Sequence, residues 1–172
     1  MEQSLQVRRI GRRDASAYCT LRARSVEGLL HPAEPEVLRE LGAGPRGIAG
    51  LLERYDVEGT RVWGVFHADV LAGVVALSRH FHLQRLDVAF LWGLFVYQRY
   101  RGTATSRLLM EAAIECCEHE QGIELAVPCF DGGNLHARQY FARFGFEVAD
   151  HGPTKGNADW RTAGLVHMCR PV

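Results

Sequence analysis

The stretch Leu86-Asp87-Val88-Ala89-Phe90-Leu91-Trp92-Gly93-Leu94-Phe95-Val96 runs directly into Tyr97-Gln98-Arg99-Tyr100-Arg101-Gly102-Thr103-Ala104-Thr105-Ser106-Arg107-Leu108-Leu109. The first half is apolar at both parities, which predicts a central strand covered on both faces. The second half is a short basic loop with one glycine, followed by the start of a helix. Backbone N–H groups at a helix amino terminus lack intrahelical acceptors and point outward along the positive end of the dipole. A strand, loop and helix in this order therefore build an anion site. Gly102, Thr103 and Ala104 are small enough to let phosphate oxygens approach. Arg99, Arg101 and Arg107 add three positive charges, with no acid between Tyr97 and Met110. This segment carries neither GxxxxGK[ST] nor GxGxxG, so it is not a nucleoside-triphosphate or dinucleotide loop. A capped helix behind a solvated basic turn is the alternative.

Downstream, the helix is expected over Thr105 to His119, with Arg107, Glu111, Glu115 and Glu118 as a polar stripe and Leu108, Leu109, Ala112 and Cys116 facing inward. A strand follows at Ile123 to Val127, then a helix from Asn134 to Phe144 that stops at Gly145. Phe146 to Ala149 and Leu165 to Cys169 read as the last strands, joined through the loop Gly152 to Asn157. Upstream, Val62 to His67 and Val70 to Ser78 form a hairpin around Ala68-Asp69. Leu5 to Ile10 is a short strand pattern, and Asp14 is placed to cap a helix from Ala15 to Val26. After His31-Pro32 a helix runs from Glu36 to Leu41, breaks at Gly42 to Pro45 and resumes from Arg46 to Tyr55.

The 172 residues fit one domain, taken as 1–172, large enough to bury a core without a metal or disulfide. Twenty Lys and Arg, of which only Lys155 is lysine, balance twenty Asp and Glu. The neutral balance removes a broad electrostatic case for nucleic acid or membrane binding. No run approaches a membrane span, and Met1 to Arg13 lacks the apolar core of a secretion signal. Five cysteines without CxxC spacing suit a reducing compartment, so a cytoplasmic location is expected. Cys116-x-x-His119 and His80-x-His82 have no companion pair at zinc spacing, so no metal is expected.

Two motifs on these elements resemble the GCN5-related N-acetyltransferase (GNAT) superfamily. Arg99-x-x-Gly102-x-Ala104 is similar to its [QR]xxGx[GA] acyl-CoA loop, and Asn134-x-x-Ala137 followed by Phe144-Gly145-Phe146 to its N-x-x-A…G-F motif. The resemblance covers about residues 86 to 148. It implies a single-domain α/β (α+β) fold, with a mixed, mostly antiparallel, V-splayed sheet flanked by helices. Acetyl-CoA would lie between the long apolar strand and the next one. Leu94, Phe95 and Val96 would line the pantetheine arm like an added strand. Arg99, Arg101, Gly102, Thr103, Ala104, Thr105 and Ser106 would hold the pyrophosphate, with Asn134 and Phe141 against the cofactor. An amine would enter from the opposite side and attack the thioester directly, while N–H near Leu94 steadies the carbonyl oxygen.

The sequence departs from the family at the general acid. The position that many members give to a tyrosine is Phe141, and Tyr140 sits one residue earlier, about 100° round the helix. Tyr140 is the candidate acid, and a core aromatic on the Ala137/Phe144 face is the other reading. Asp87 is the candidate base, with His80, His82, Glu27 and His31 as further polar groups, and Cys129 or Asp131 are expected near the site. The implied activity is transfer of an acetyl group to a primary amine of a small molecule or peptide, with a homodimer as a further expectation. The alternatives are a GNAT-fold acyl-CoA-binding protein without catalysis, and a regulatory module that uses the Arg-rich amino terminus on a partner.

Overall fold

A computed structural model describes residues 5–24, 34–78, 88–118, 124–131, 133–149 and 165–171. The chain order is β1 (Leu5–Arg9), α1 (Ala15–Arg22), α2 (Glu34–Gly42), α3 (Gly44–Glu58), β2 (Thr60–His67), β3 (Val70–Ser78) and β4 (Val88–Val96). Then come α4 (Thr105–Glu118), β5 (Glu124–Asp131), α5 (Leu135–Ala142), β6 (Glu147–Val148) and β7 (Leu165–Pro171). The strands form one sheet in the order β1-β2-β3-β4-β5-β7-β6. Every neighbouring pair is antiparallel except β4 and β5, which are parallel and joined through α4. A parallel pair needs such a crossover, because no tight turn can reverse the chain twice.

The sheet separates two cores. On one face Tyr18, Leu21, Ile48, Leu51 and Tyr55 pack on Leu71, Val74 and Trp92; on the other Leu109, Met110 and Ala113 pack on Val75, Leu77 and Leu91. Residues of β3 and β4 thus face helices on both sides, which explains why these two strands are apolar at both parities. One buried polar cluster bridges β2, β3 and β4: Trp92 Nε1 donates to Ser78 Oγ at 2.8 Å, and Ser78 Oγ lies 2.9 Å from Thr60 Oγ1.

Three expectations shift. Asp14 precedes α1 but makes no side-chain cap. Its carboxylate instead accepts both Arg8 guanidinium nitrogens, at 2.9 and 2.7 Å, and the Gly11 N–H at 3.1 Å. The break between α2 and α3 shrinks to Ala43, with Pro45 in the first turn of α3, where its missing N–H costs nothing. The strand read as Ile123 to Val127 extends to Asp131, with a register shift between Val127 and Phe130. Pro128 lies in that shift, and a proline has no N–H to give the ladder.

Candidate functional site

Two irregularities open the sheet at its centre. Ala76 pairs with Trp92 and Val74 with Phe95, so the single residue Val75 faces two on β4, Gly93 and Leu94. Gly93 adopts φ +61°, the left-handed conformation that a bulge of this kind requires and glycine takes without strain. Among the described residues, β4 and β5 pair only at Val88/Glu124, Ala89/Leu125 and Phe90/Ala126. From Leu91 to Val96 the edge of β4 has separated from β5. This opening holds the half-buried Leu94 and Phe95 and the buried Val96.

Tyr97 to Ala104 lead from that opening into α4. The Tyr97 N–H donates back to Ala72 at 2.9 Å, and a 3-10 turn follows over Gln98–Tyr100. Four N–H groups here are used locally: Tyr100 bonds to the Tyr97 carbonyl at 2.8 Å, Arg101 to the Gln98 carbonyl at 3.1 Å, Thr103 to the Tyr100 carbonyl at 3.3 Å, and Thr105 to Thr103 Oγ1 at 3.3 Å. The first α4 N–H bond to a carbonyl is Leu108 to Ala104 at 2.9 Å. The N–H groups of Gly102, Ala104 and Ser106 therefore have no acceptor among the described residues. They alternate with the engaged ones at the head of α4, an arrangement that suits an anion. Gly102 has φ +79°, and an added Cβ would meet nothing within 4 Å, so the space beside it is open.

The three arginines divide. Arg107 is held by Glu111, with contacts of 2.8 and 3.0 Å. Arg101 donates Nε to the Val96 carbonyl at 3.3 Å, and Arg99 lies 4.8 Å over the Tyr100 ring. Neither Arg99 nor Arg101 has an acidic partner among the described residues.

Helix α5 reaches the same region. Asn134 Oδ1 accepts the Ala137 N–H at 3.0 Å and so caps its own helix. Tyr140 donates its hydroxyl to the Ser106 carbonyl at 3.1 Å, which ties α5 to the first turn of α4. Burial raises the Tyr140 pKa, against a smaller lowering by the Ser106 side chain, so the phenol stays protonated. Phe141 packs against Tyr140 and Phe146 at 5.4 and 5.8 Å between ring centroids.

On the opposite face a cavity of about 830 Å³ opens between α1, the start of β3 and the residues after β4, lined by Ala17, Thr20, Arg24, Leu71, Tyr97 and Arg99. Arg24 and Arg99 both approach the Tyr97 ring, at 5.7 and 5.9 Å.

Asp87, His80, His82, Glu27 and His31 lie outside the described residues, as does the loop Gly152 to Asn157. Cys129 and Asp131 belong to β5, and their side chains also lie outside the described residues. Sequence reasoning missed the cavity beside Tyr97 and the contact of Tyr140 with Ser106. A pairing across 34 residues leaves no periodic signal. No group of three or more metal-ligating side chains occurs among the described residues. None of their helices is long and apolar enough to cross a membrane.

A family model described as the acetyltransferase (GNAT) family matches residues 29–146. No curated protein matches the chain. Solved structures share the fold at low identity. A ribosomal-protein-alanine N-acetyltransferase from Brucella melitensis superposes with a TM-score of 0.72 at 16% identity, over 97% of this chain and 99% of the other. The PaiA N-acetyltransferase of Thermoplasma acidophilum, in complex with coenzyme A, gives 0.68 at 15% identity over 98% and 99%. The Salmonella typhimurium yncA protein, with its cofactor acetyl-CoA, gives 0.71 at 12% identity over 97% and 93%. With the family model spanning more than half of its length, and with the split sheet and basic strand–loop–helix already described, the chain belongs to the GNAT acetyltransferase family.

Proposed function

We propose that the protein transfers an acetyl group from acetyl-CoA to a primary amine. The observation that carries this reading is the row of N–H groups at Gly102, Ala104 and Ser106 beside open space, at the mouth of the β4–β5 opening. The residues fit an acyl-CoA. Gly102, Ala104 and Ser106 would take pyrophosphate oxygens, with Thr103 and Thr105 shaping the turn and Arg99 and Arg101 supplying charge. Leu94, Phe95 and Val96 would present the separated edge of β4 to the pantetheine amides, as an added strand does. Asn134 and Phe141 would lie along the arm from α5. Bound acyl-CoA supplies the acyl group as an activated thioester.

The acceptor reaches the bulge from the α1 face, and the cavity beside Tyr97 supports that approach. Asp87 is the proposed base, taking the proton of the incoming ammonium, and backbone N–H at Leu94 the proposed support for the carbonyl oxygen. Tyr140 is the proposed acid for the leaving thiolate, and its raised pKa supports a protonated phenol. Its proton is directed at Ser106, so acid catalysis requires it to leave that carbonyl.

The same contact, with Phe141 at the neighbouring position, favours a second reading: a protein that binds acyl-CoA and does not turn it over. A thiol-release assay with acetyl-CoA and a panel of amines separates the two. Turnover with any amine supports the enzyme, and tight CoA binding with none supports the binding protein. Tyr140→Phe then sorts the roles of the phenol. Loss of an acid lowers kcat by at least about tenfold, whereas loss of a tether raises the KM for acetyl-CoA instead.

A further inference from the structure

His67 is the last residue of β2, and its ring reaches the loop that leads into α4. Its Nε2 lies 3.0 Å from Thr105 Oγ1, its ring stacks on Tyr100 with centroids 4.2 Å apart at 24°, and Tyr100 in turn carries Arg99. Thr105 is fully buried, so its hydroxyl has no water to satisfy it. The protons in this cluster can be assigned by counting. Thr103 Oγ1 donates its single proton to the Tyr100 carbonyl at 2.6 Å. The contact of 2.9 Å between the two threonine hydroxyls must then use the proton of Thr105. With that proton spent, Thr105 Oγ1 can only accept, and His67 Nε2 must be the donor.

The outcome is a directed chain: His67 Nε2–H to Thr105 Oγ1–H to Thr103 Oγ1–H to the Tyr100 carbonyl. Each bond polarises the next. The chain fixes Thr103, whose Oγ1 also receives the Thr105 N–H. It thereby holds the turn in which Gly102 and Ala104 leave their N–H groups open.

We infer that His67 is a positioning residue for acyl-CoA binding, acting as an obligatory Nε2–H donor that sets the cofactor loop from the adjacent strand. The inference rests on the acyl-CoA reading of that loop. Glutamine places an N–H near the position of His Nε2, phenylalanine keeps a ring for Tyr100 without a donor, and alanine removes both. Calorimetric CoA binding and steady-state kinetics with acetyl-CoA should show His67→Phe and His67→Ala weakened about five- to tenfold in Kd and in acetyl-CoA KM, with kcat within about twofold. His67→Gln should recover most of the affinity. Thr105→Val, close to isosteric, should match His67→Phe, and the double variant should be no worse than either single one. If the alanine variant does not fold, the Phe and Val variants carry the test.

Wild-type protein that binds no CoA overturns the loop reading itself, and this inference with it. Wild-type protein that binds CoA, with His67→Phe binding equally well, overturns the inference alone. So does a glutamine variant as weak as the alanine one, because the ring and not the donor would then be what matters.

Discussion

Gly102 has φ +79°, and every other residue type resists that conformation. Gly102→Ala should cost about 1 kcal/mol in stability, readable in thermal unfolding. Gly102→Glu adds a carboxylate to the open space beside the row of N–H groups and should weaken CoA binding at least about tenfold by calorimetry. At Asp14 the effect is on stability and depends on pH. The Arg8 guanidinium, then the Gly11 N–H, hold its carboxyl below the usual carboxylate range against the opposing effect of burial. A lowered folded value means stabilisation that is complete above the ordinary carboxylate value and lost as pH falls through the folded one. Asp14→Asn should cost about 1–3 kcal/mol at neutral pH, with the difference from wild type vanishing in acid unfolding. Local sequence reads Asp14 as a helix cap. Its real partner, six residues upstream on a strand, depends on how β1 sits against α1, which spacing along the chain does not reveal.

Among the elements, the bulge on β4 is served by Gly73 on β3. A Cβ there would lie 2.8 Å from the Phe95 carbonyl oxygen and 3.2 Å from Leu109 Cδ1, so the end of β4 sits directly against the glycine backbone. Gly73→Ala should cost about 1–3 kcal/mol and weaken CoA binding as well, since it displaces the strand edge offered to the pantetheine arm. A denaturant melt and a CoA titration check the two effects. The order of the elements was legible because period 2 and period 3.6 alternate with clear turn residues. Rotation about an axis was less so. On α4 the stripe Arg107, Glu111, Glu115 and Glu118 is exposed as expected, but the buried face centres on Leu109, Met110, Ala113, Ile114 and Cys117. Leu108, Ala112 and Cys116 are flanking and half-buried. Small and apolar residues occupy both rows, so only the packing against β2, β3 and β4 decides which row lies deepest. The anion loop was legible because its glycine, its charges and its helix are contiguous, whereas the His67 chain joins residues 38 positions apart.

For the whole molecule, the zero net charge conceals an uneven layout. Tyr97 to Met110 carries three arginines and no acid, and Glu111 to Glu124 carries five acids and no arginine or lysine. The first segment holds the open turn, and the described acids of the second, Glu111, Glu115 and Glu118, follow along α4, so along this helix the positive charge gathers at its head. The three residue pairs between β4 and β5 have a consequence of another kind. Strands β1 to β4 form one hydrogen-bonded unit and β5, β7 and β6 a second, and the ladder that joins them is shorter than any other pairing longer than two residues. Amide hydrogen exchange should therefore report two cooperative units, with β5 and β7 opening at lower free energy than β2 and β3. A ligand laid along the separated edge would act as a missing strand, so CoA should slow exchange most in β5 and the end of β4 and draw the two units toward a common opening rate. Such a ligand would lengthen the short seam between the two halves of the sheet.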